Sequence, residues 1–134
     1  MLVLGQPRSK LIRKLTALGP YLRESQCLEQ LFFFDCLAVC ANPRLPTEKR
    51  EFWGWWLELQ ADADRQALTY QYRFGFYDKN GDWLEKPLPD KTIADEVHNT
   101  LRVFYPRLRQ LLHSLEIELQ PAPGVCGIDL NTAA

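Results

Sequence analysis

Residues 67–76, ALTYQYRFGF, carry the plainest structural signal in the chain. Leu68, Tyr70, Tyr72, Phe74 and Phe76 recur at every second position, and Thr69, Gln71, Arg73 and Gly75 fill the places between. Successive side chains of a strand point to opposite sides, so this alternation predicts a strand with one face in a core and the other wetter. YDKNGDW follows directly. Its Asn80-Gly81 pair predicts a type I′ hairpin turn, whose two central positions both need positive φ. Trp83 then begins a returning strand, which Pro87 and Pro89 end.

Upstream lies KREFWGWWLEL, residues 49–59, with three of the chain's four tryptophans. Residues 51–60 read as a strand on which Trp53, Trp55, Leu57 and Leu59 share one face while Phe52, Gly54 and Trp56 share the other. Both faces carry rings. One set can enter the core, and the other is covered by more protein or offered to a partner. FFFDCLAVC, residues 32–40, is apolar on both parities and reads as a central strand covered on both sides, or as a buried helical segment. The polar loop ANPRLPTEKR separates the two.

Ser9 is placed like an N-cap before Leu11, Leu15 and Leu18, and Gly19-Pro20 stops the pattern, so residues 9–18 read as a short helix. From Thr92 to Leu115 the period changes: Ile93, Val97, Leu101, Phe104, Leu108, Leu111, Leu112 and Leu115 form a helical stripe, with Thr92 and Asp95 spaced as a capping box. Pro106 inside that stripe predicts a kink or break between Arg102 and Pro106. Residues from about 120 to 134 show no period and read as a loose tail. The expected fold is α+β: one domain over residues 1–134, an antiparallel sheet of about four to five strands flanked by helices, and a long C-terminal helix.

A chain of 134 residues can bury roughly 68% of its unfolded surface, enough for one real core. Net charge is -1, which argues against a dedicated nucleic-acid binder. The charge is uneven, since Arg8, Lys10, Arg13, Lys14 and Arg23 precede the first acid. That basic start is either a solvated face or a surface for acidic protein or phosphate. MLVLGQPRSK is too short in apolar residues for an export signal, and no run is long enough to span a bilayer, so a cytoplasmic, reducing setting is expected. Cys27, Cys36, Cys40 and Cys126 then read as free thiols in the core. On one strand Cys36 and Cys40 would be about 13 Å apart, too far for a disulfide.

Reaction chemistry has no visible constellation. No phosphate-cradling glycine motif and no G-x-S-x-G occur. His98 and His113 stand roughly 20 Å apart on the expected helix. Asp35, inside FFFDCLAVC, is the one acid whose burial would raise its pKa, and it reads either as a hydrogen-bonded structural acid or as the group of a small-molecule enzyme. No metal or cofactor site is expected. A binding module is favoured over an enzyme, and the tryptophans leave open a single-stranded nucleic-acid module that uses them as stacking platforms.

Five ordered segments carry a more specific signal: SKLIRKLTALGPYLRE, FFFDCLAVC, KREFWGWWLEL, YQYRFGFYDKNGDW and the LRxF...LRxLL pattern of the last helix. Together they resemble the Crl family of sigma factor-binding proteins along all but about the last fifteen residues. The resemblance implies a non-catalytic activator that binds domain 2 of sigma-S, the stationary-phase sigma factor. It implies that sigma-S is favoured in assembly with RNA polymerase core and tethered to the clamp of the β′ subunit, without specific DNA binding and without a membrane. The family's contact positions fall on Tyr21, Arg50, Phe52, Trp55 and Trp83, with Arg50 paired to an acidic sigma residue. A monomer is expected. Phe52 and Trp55 have opposite parity, so a flat strand cannot present both, and a bulge or late strand start at Gly54 is the expected remedy.

Overall fold

The computed structural model describes residues 1–128. Three long strands dominate it: β3 (Leu31–Cys40), β4 (Phe52–Asp62) and β5 (Ala67–Tyr77), each antiparallel to the next. They follow a small hairpin, β1 (Leu2–Val3) with β2 (Gln6–Pro7), and a first helix, α1 (Arg8–Thr16). The far edge of β5 is shared. Its C-terminal end pairs with β6 (Trp83–Glu85), and its N-terminal end takes β7 (Glu118–Pro121) in parallel, after the long helix α2 (Lys91–Ser114). The result is a five-stranded α+β sheet.

The alternation in residues 67–76 decides which face is dry. Leu68 and Tyr70 join Leu57, Leu59 and Trp55 of β4 and Phe32 and Phe34 of β3 in one buried cluster. Leu11, Ile12 and Leu15 of α1, and Val97, Leu101, Phe104, Leu108 and Leu112 of α2, close that cluster from above. Both helices therefore cover the same sheet face, and neither covers the opposite one. β3 is a strand, but it ends the sheet order instead of lying at its centre and is covered by the helices on one side only, with Phe33 and Asp35 on the uncovered side.

Several local expectations change. The Asn80-Gly81 hairpin forms, but only Gly81 has positive φ, at 83°. The Asp78 carboxylate accepts from the backbone N–H groups of Asn80 and Asp82, so an Asx-type turn with Gly81 in the left-handed position replaces type I′. A turn with two positive φ values occurs instead at Leu4-Gly5, between β1 and β2. Ser9 lies inside α1 rather than capping it. At α2 the cap is Asp90, whose carboxylate accepts from the Ile93 N–H at 2.9 Å, not the Thr92 and Asp95 pair. The helix runs through Pro106 without interruption. Pro106 is exposed, so the Arg102 carbonyl deprived of its donor can take water.

The chain after residue 119 is fastened as far as residue 128. β7 adds to the sheet, the Ala122 N–H donates to the Tyr70 carbonyl, and the Ile128 N–H donates to the Tyr70 hydroxyl at 3.1 Å. The rest of the expected tail lies outside the described residues. The cysteines are free, as expected, but none is fully buried: Cys27 and Cys36 are half-buried against the core, Cys40 is half-buried and Cys126 is exposed.

Gly54 does not carry the bulge. The register slips on the partner strand, where Leu37 pairs with Gly54 and Val39 with Trp53, leaving Ala38 as the extra residue. The glycine is needed for another reason, because a Cβ there would meet the Cys36 carbonyl oxygen and the Trp83 indole. Gly54→Ala should therefore destabilise the fold by about 1–3 kcal/mol, measured as a lower urea midpoint with unchanged slope. His98, on α2, packs edge-on against Phe74 at 4.6 Å. Burial, then the neighbouring Arg102 charge, holds its imidazole below the ordinary 6.5, with Asp95 opposing. Its contribution is complete above about pH 6.5 and is lost as pH falls through the lowered folded-state value. Urea melts across that range should show an acid-side loss that His98→Gln reduces.

Candidate functional site

The uncovered sheet face is organised around one carboxylate. Asp35 projects from β3 away from the helices and is only 3% exposed. Arg23 donates from Nε to its Oδ1 at 2.5 Å, and Trp83 donates from its indole nitrogen to Oδ2 at 3.0 Å. Both oxygens are thus held. Two backbone bonds, Arg23 N–H to the Phe33 carbonyl and Asp35 N–H to the Tyr21 carbonyl, lay residues 21–23 along the edge of β3 and bring the guanidinium within reach. Of the two readings of Asp35, the structure supports the hydrogen-bonded structural acid.

Trp83 reaches Asp35 across a gap left by glycine. Gly54 and Gly75 are directly paired on β4 and β5, and the Trp83 ring approaches the place a Gly54 side chain would fill. Its indole meets Trp56 at 4.9 Å and Tyr77 at 5.3 Å between ring centres. Arg23, Phe33, Asp35, Trp56, Tyr77 and Trp83 line an open hollow of about 380 Å³.

The five residues singled out in the sequence divide between the two sides of the sheet. Phe52 pairs with Tyr77, which pairs with Trp83, so these three form a row across β4, β5 and β6 on the uncovered face. Arg50 ends the loop just before β4, where its Nε and one terminal nitrogen donate to the Leu45 and Pro43 carbonyls. The guanidinium keeps further donors in its fork for a carboxylate. It has no acidic partner among the described residues.

Tyr21 and Trp55 belong to the other side. Trp55 is fully buried, and its indole N–H donates to Thr100 of α2 at 2.9 Å, whose hydroxyl donates on to the Val97 carbonyl. The half-exposed Tyr21 stacks on Trp55 with ring centres 5.9 Å apart and leans on Phe104 at 4.8 Å. Trp55 follows Gly54 in the chain and points to the opposite face. The buried stack therefore backs the strand segment on which Trp83 rests.

Sequence reasoning had no reason to choose Arg23, Trp56 or Tyr77. Arg23 was one member of a basic run, and its tie to Asp35 spans twelve positions that no spacing rule connects. The parity of Trp56 with Gly54 was the available signal for its place on the uncovered face.

A family model described as sigma factor-binding transcriptional regulator Crl matches residues 1–127. The chain belongs to the Crl family. It is 45% identical over 115 residues to the sigma factor-binding protein Crl of Photobacterium profundum, covering 85% of this chain and 84% of that protein. It is 44% identical over 104 residues to the Crl protein of Vibrio vulnificus (strain YJ016), with 78% of each covered. The Crl protein of Vibrio cholerae strain O395 is 40% identical over 119 residues, covering 85% of this chain and 90% of that one. The motif resemblance is thereby established as family membership, and Crl proteins are regulators rather than enzymes.

The tryptophans of this Crl-family chain do not make a row of free stacking faces. Trp55 is sealed, Trp53 packs on Phe76 at 4.8 Å, and Trp56 and Trp83 lie against each other. Among the described residues no three His, Cys, Asp or Glu side chains gather to hold a metal ion, and no helix is long and apolar enough to cross a membrane. Asp35 is the tie that shapes the hollow, so Asp35→Ala should cost about 1–3 kcal/mol by leaving the Trp83 N–H and Arg23 without their partner. The same variant should alter tryptophan fluorescence in the folded state, because the Trp83 ring loses its anchor. An unchanged emission spectrum would show that Trp56 and Tyr77 hold the ring without Asp35.

Proposed function

We propose that this Crl-family chain binds sigma-S through domain 2 of sigma and promotes its assembly with RNA polymerase core, raising sigma-S-dependent transcription without reading DNA sequence. The carrying observation is the family match across residues 1–127, joined to 40–45% identity with proteins named for sigma-factor binding. In this reading residues 1–134 act as one monomeric sigma-binding domain in the cytoplasm, and the β′ clamp of RNA polymerase core is a second contact.

In this reading the labour divides among Tyr21, Arg50, Phe52, Trp55 and Trp83. Phe52 and Trp83 contribute apolar area from one row, and Arg50 offers a planar, permanently charged fork to a carboxylate of sigma. The exposed part of Tyr21 extends the contact around the edge of β3. Trp55 is a positioning residue, since it is sealed beneath Tyr21 and acts by holding that ring and the strand beneath Trp83. If binding stabilises the polymerase-competent form of sigma, its effect is bounded by the difference in affinity for the two forms. A bias of about 1.4 kcal/mol gives tenfold in assembly.

Co-migration with isolated sigma-S domain 2, followed by titration, tests this reading. Arg50→Ala and Phe52→Ala should each weaken binding by about tenfold or more with little change in melting temperature, as expected of interface anchors. Trp55→Phe should lower thermal stability and affinity together, because it keeps a ring but leaves Thr100 without the indole donor. Failure to form any complex, or undiminished binding by an Arg50→Ala, Phe52→Ala double variant, would overturn the assignment.

A further inference from the structure

The two helices leave a surface that the sigma-binding reading does not use. Residues 1–23 and 97–115 contain no Asp or Glu, although the whole chain carries net charge -1. α1 and the second half of α2 come from these two segments and cover the same sheet face. Lys10, Arg13 and Lys14 of α1, and Arg102, Arg107 and Arg109 of α2, take part in no ion pair among the described residues. The acids are concentrated elsewhere, and Glu58, Asp82 and Glu85 lie toward the opposite, uncovered face of the sheet. The cations of α1 and of the second half of α2 thus have no acid within their own segments.

The helical side is also more than charged. Val103 is 53% exposed at the centre of α2, and Pro106 is exposed one turn further on. Two shallow grooves flank that crest. One, of about 390 Å³, is lined by Leu18, Arg107, Gln110, Leu111 and Ser114, and joins the end of α1 to α2. The other, of about 340 Å³, is lined by Pro106, Arg109, Gln110 and His113. Unpaired cations beside the exposed Val103 and the half-buried Leu18 and Leu111 complement a segment with carboxylates and apolar side chains in alternation. A phosphate backbone would meet the cations and leave Val103, Leu18 and Leu111 uncovered, and the overall negative charge opposes a nucleic-acid role.

From this we infer that the α1 and α2 face is a second docking surface, separate from the Asp35 hollow, for an acidic protein segment carrying apolar side chains. The interaction should be both salt-dependent and dependent on the apolar residues. Because its occupant sits behind the sheet, it can bind while the uncovered face is engaged.

The test uses the full chain and a synthetic twenty-residue helical peptide in which Glu and Leu alternate at helical spacing. Amide chemical shifts are followed by NMR, and affinity by fluorescence anisotropy. Shift changes should map to α1 and to residues 102–114, and an Arg107→Glu, Arg109→Glu variant should bind at least tenfold more weakly at an unchanged melting temperature. A Lys10→Glu, Arg13→Glu variant supplies an independent check should the first unfold. A peptide with every Leu replaced by Ser should also lose at least tenfold. Shift changes confined to Trp83 and its neighbours, or equal binding by the Leu-free peptide, would overturn the inference. So would tighter binding to double-stranded DNA, which would make the face a phosphate surface. Undiminished sigma-S domain 2 binding by the Arg107→Glu, Arg109→Glu variant is also expected, so loss of one activity is distinguishable from loss of the other.

Discussion

A carboxylate removed from water must have its charge met on every side, and the uncovered face of this protein is arranged around that demand at Asp35. The acid stands on β3, the first strand in the sheet order, one donor arrives from the segment laid along that strand's edge, and the other arrives from the short strand β6 at the opposite edge of the long-stranded core. Positions 23, 35 and 83 are thereby fixed relative to one another across four strands, β3 to β6. Trp83 could not make the reach over ordinary side chains. Gly54 keeps its path clear, and the ring then settles against Trp56 and Tyr77. Hollow, aromatic row and edge segment follow from one buried charge.

What was legible in the sequence was periodic. The alternation of residues 67–76, the helical stripe of 92–115 and the strand reading of 51–60 each report which side chains must leave water, and burial is what a period encodes. The opposite parities of Phe52 and Trp55 were visible too, and the fold keeps them on opposite faces. What failed was the remedy. A bulge adds a residue to one of two paired strands, and the pattern of β4 cannot tell whether the extra residue belongs to β4 or to β3, where Ala38 supplies it. The Asp35 network was illegible because its partners lie twelve and forty-eight positions away.

Turns and ends were misread where a side chain competed with a backbone rule. Asp78 satisfies the N–H groups of Asn80 and Asp82, which removes the need for a second positive φ at Asn80. Asp90 captures the N-terminus of α2 before Thr92 can. Pro106 was read as a breaker because the cost of proline in a helix assumes that the freed carbonyl finds nothing else. On the solvent side it can find water, while Phe104 and Leu108 on either side remain anchored in the core. β7 escaped notice because four residues ending in proline carry no alternation, and its parallel pairing is set by where α2 ends.

The division of the candidate site between core and surface has a consequence for how its variants act. Tyr21 and Trp55 form part of the same aromatic cluster as Phe104, so their loss weakens the packing of α2 on the sheet as well as any surface they support. Arg50 and Phe52 are tied to the rest of the protein more lightly, through loop carbonyls and one row of strand neighbours. A residue that touches a partner changes the free energy of the complex alone, whereas one that holds the toucher changes the free protein too. Affinity and stability should therefore separate at Arg50 and Phe52 and fall together at Trp55. That contrast assigns contact and support more directly than the size of any single loss in affinity.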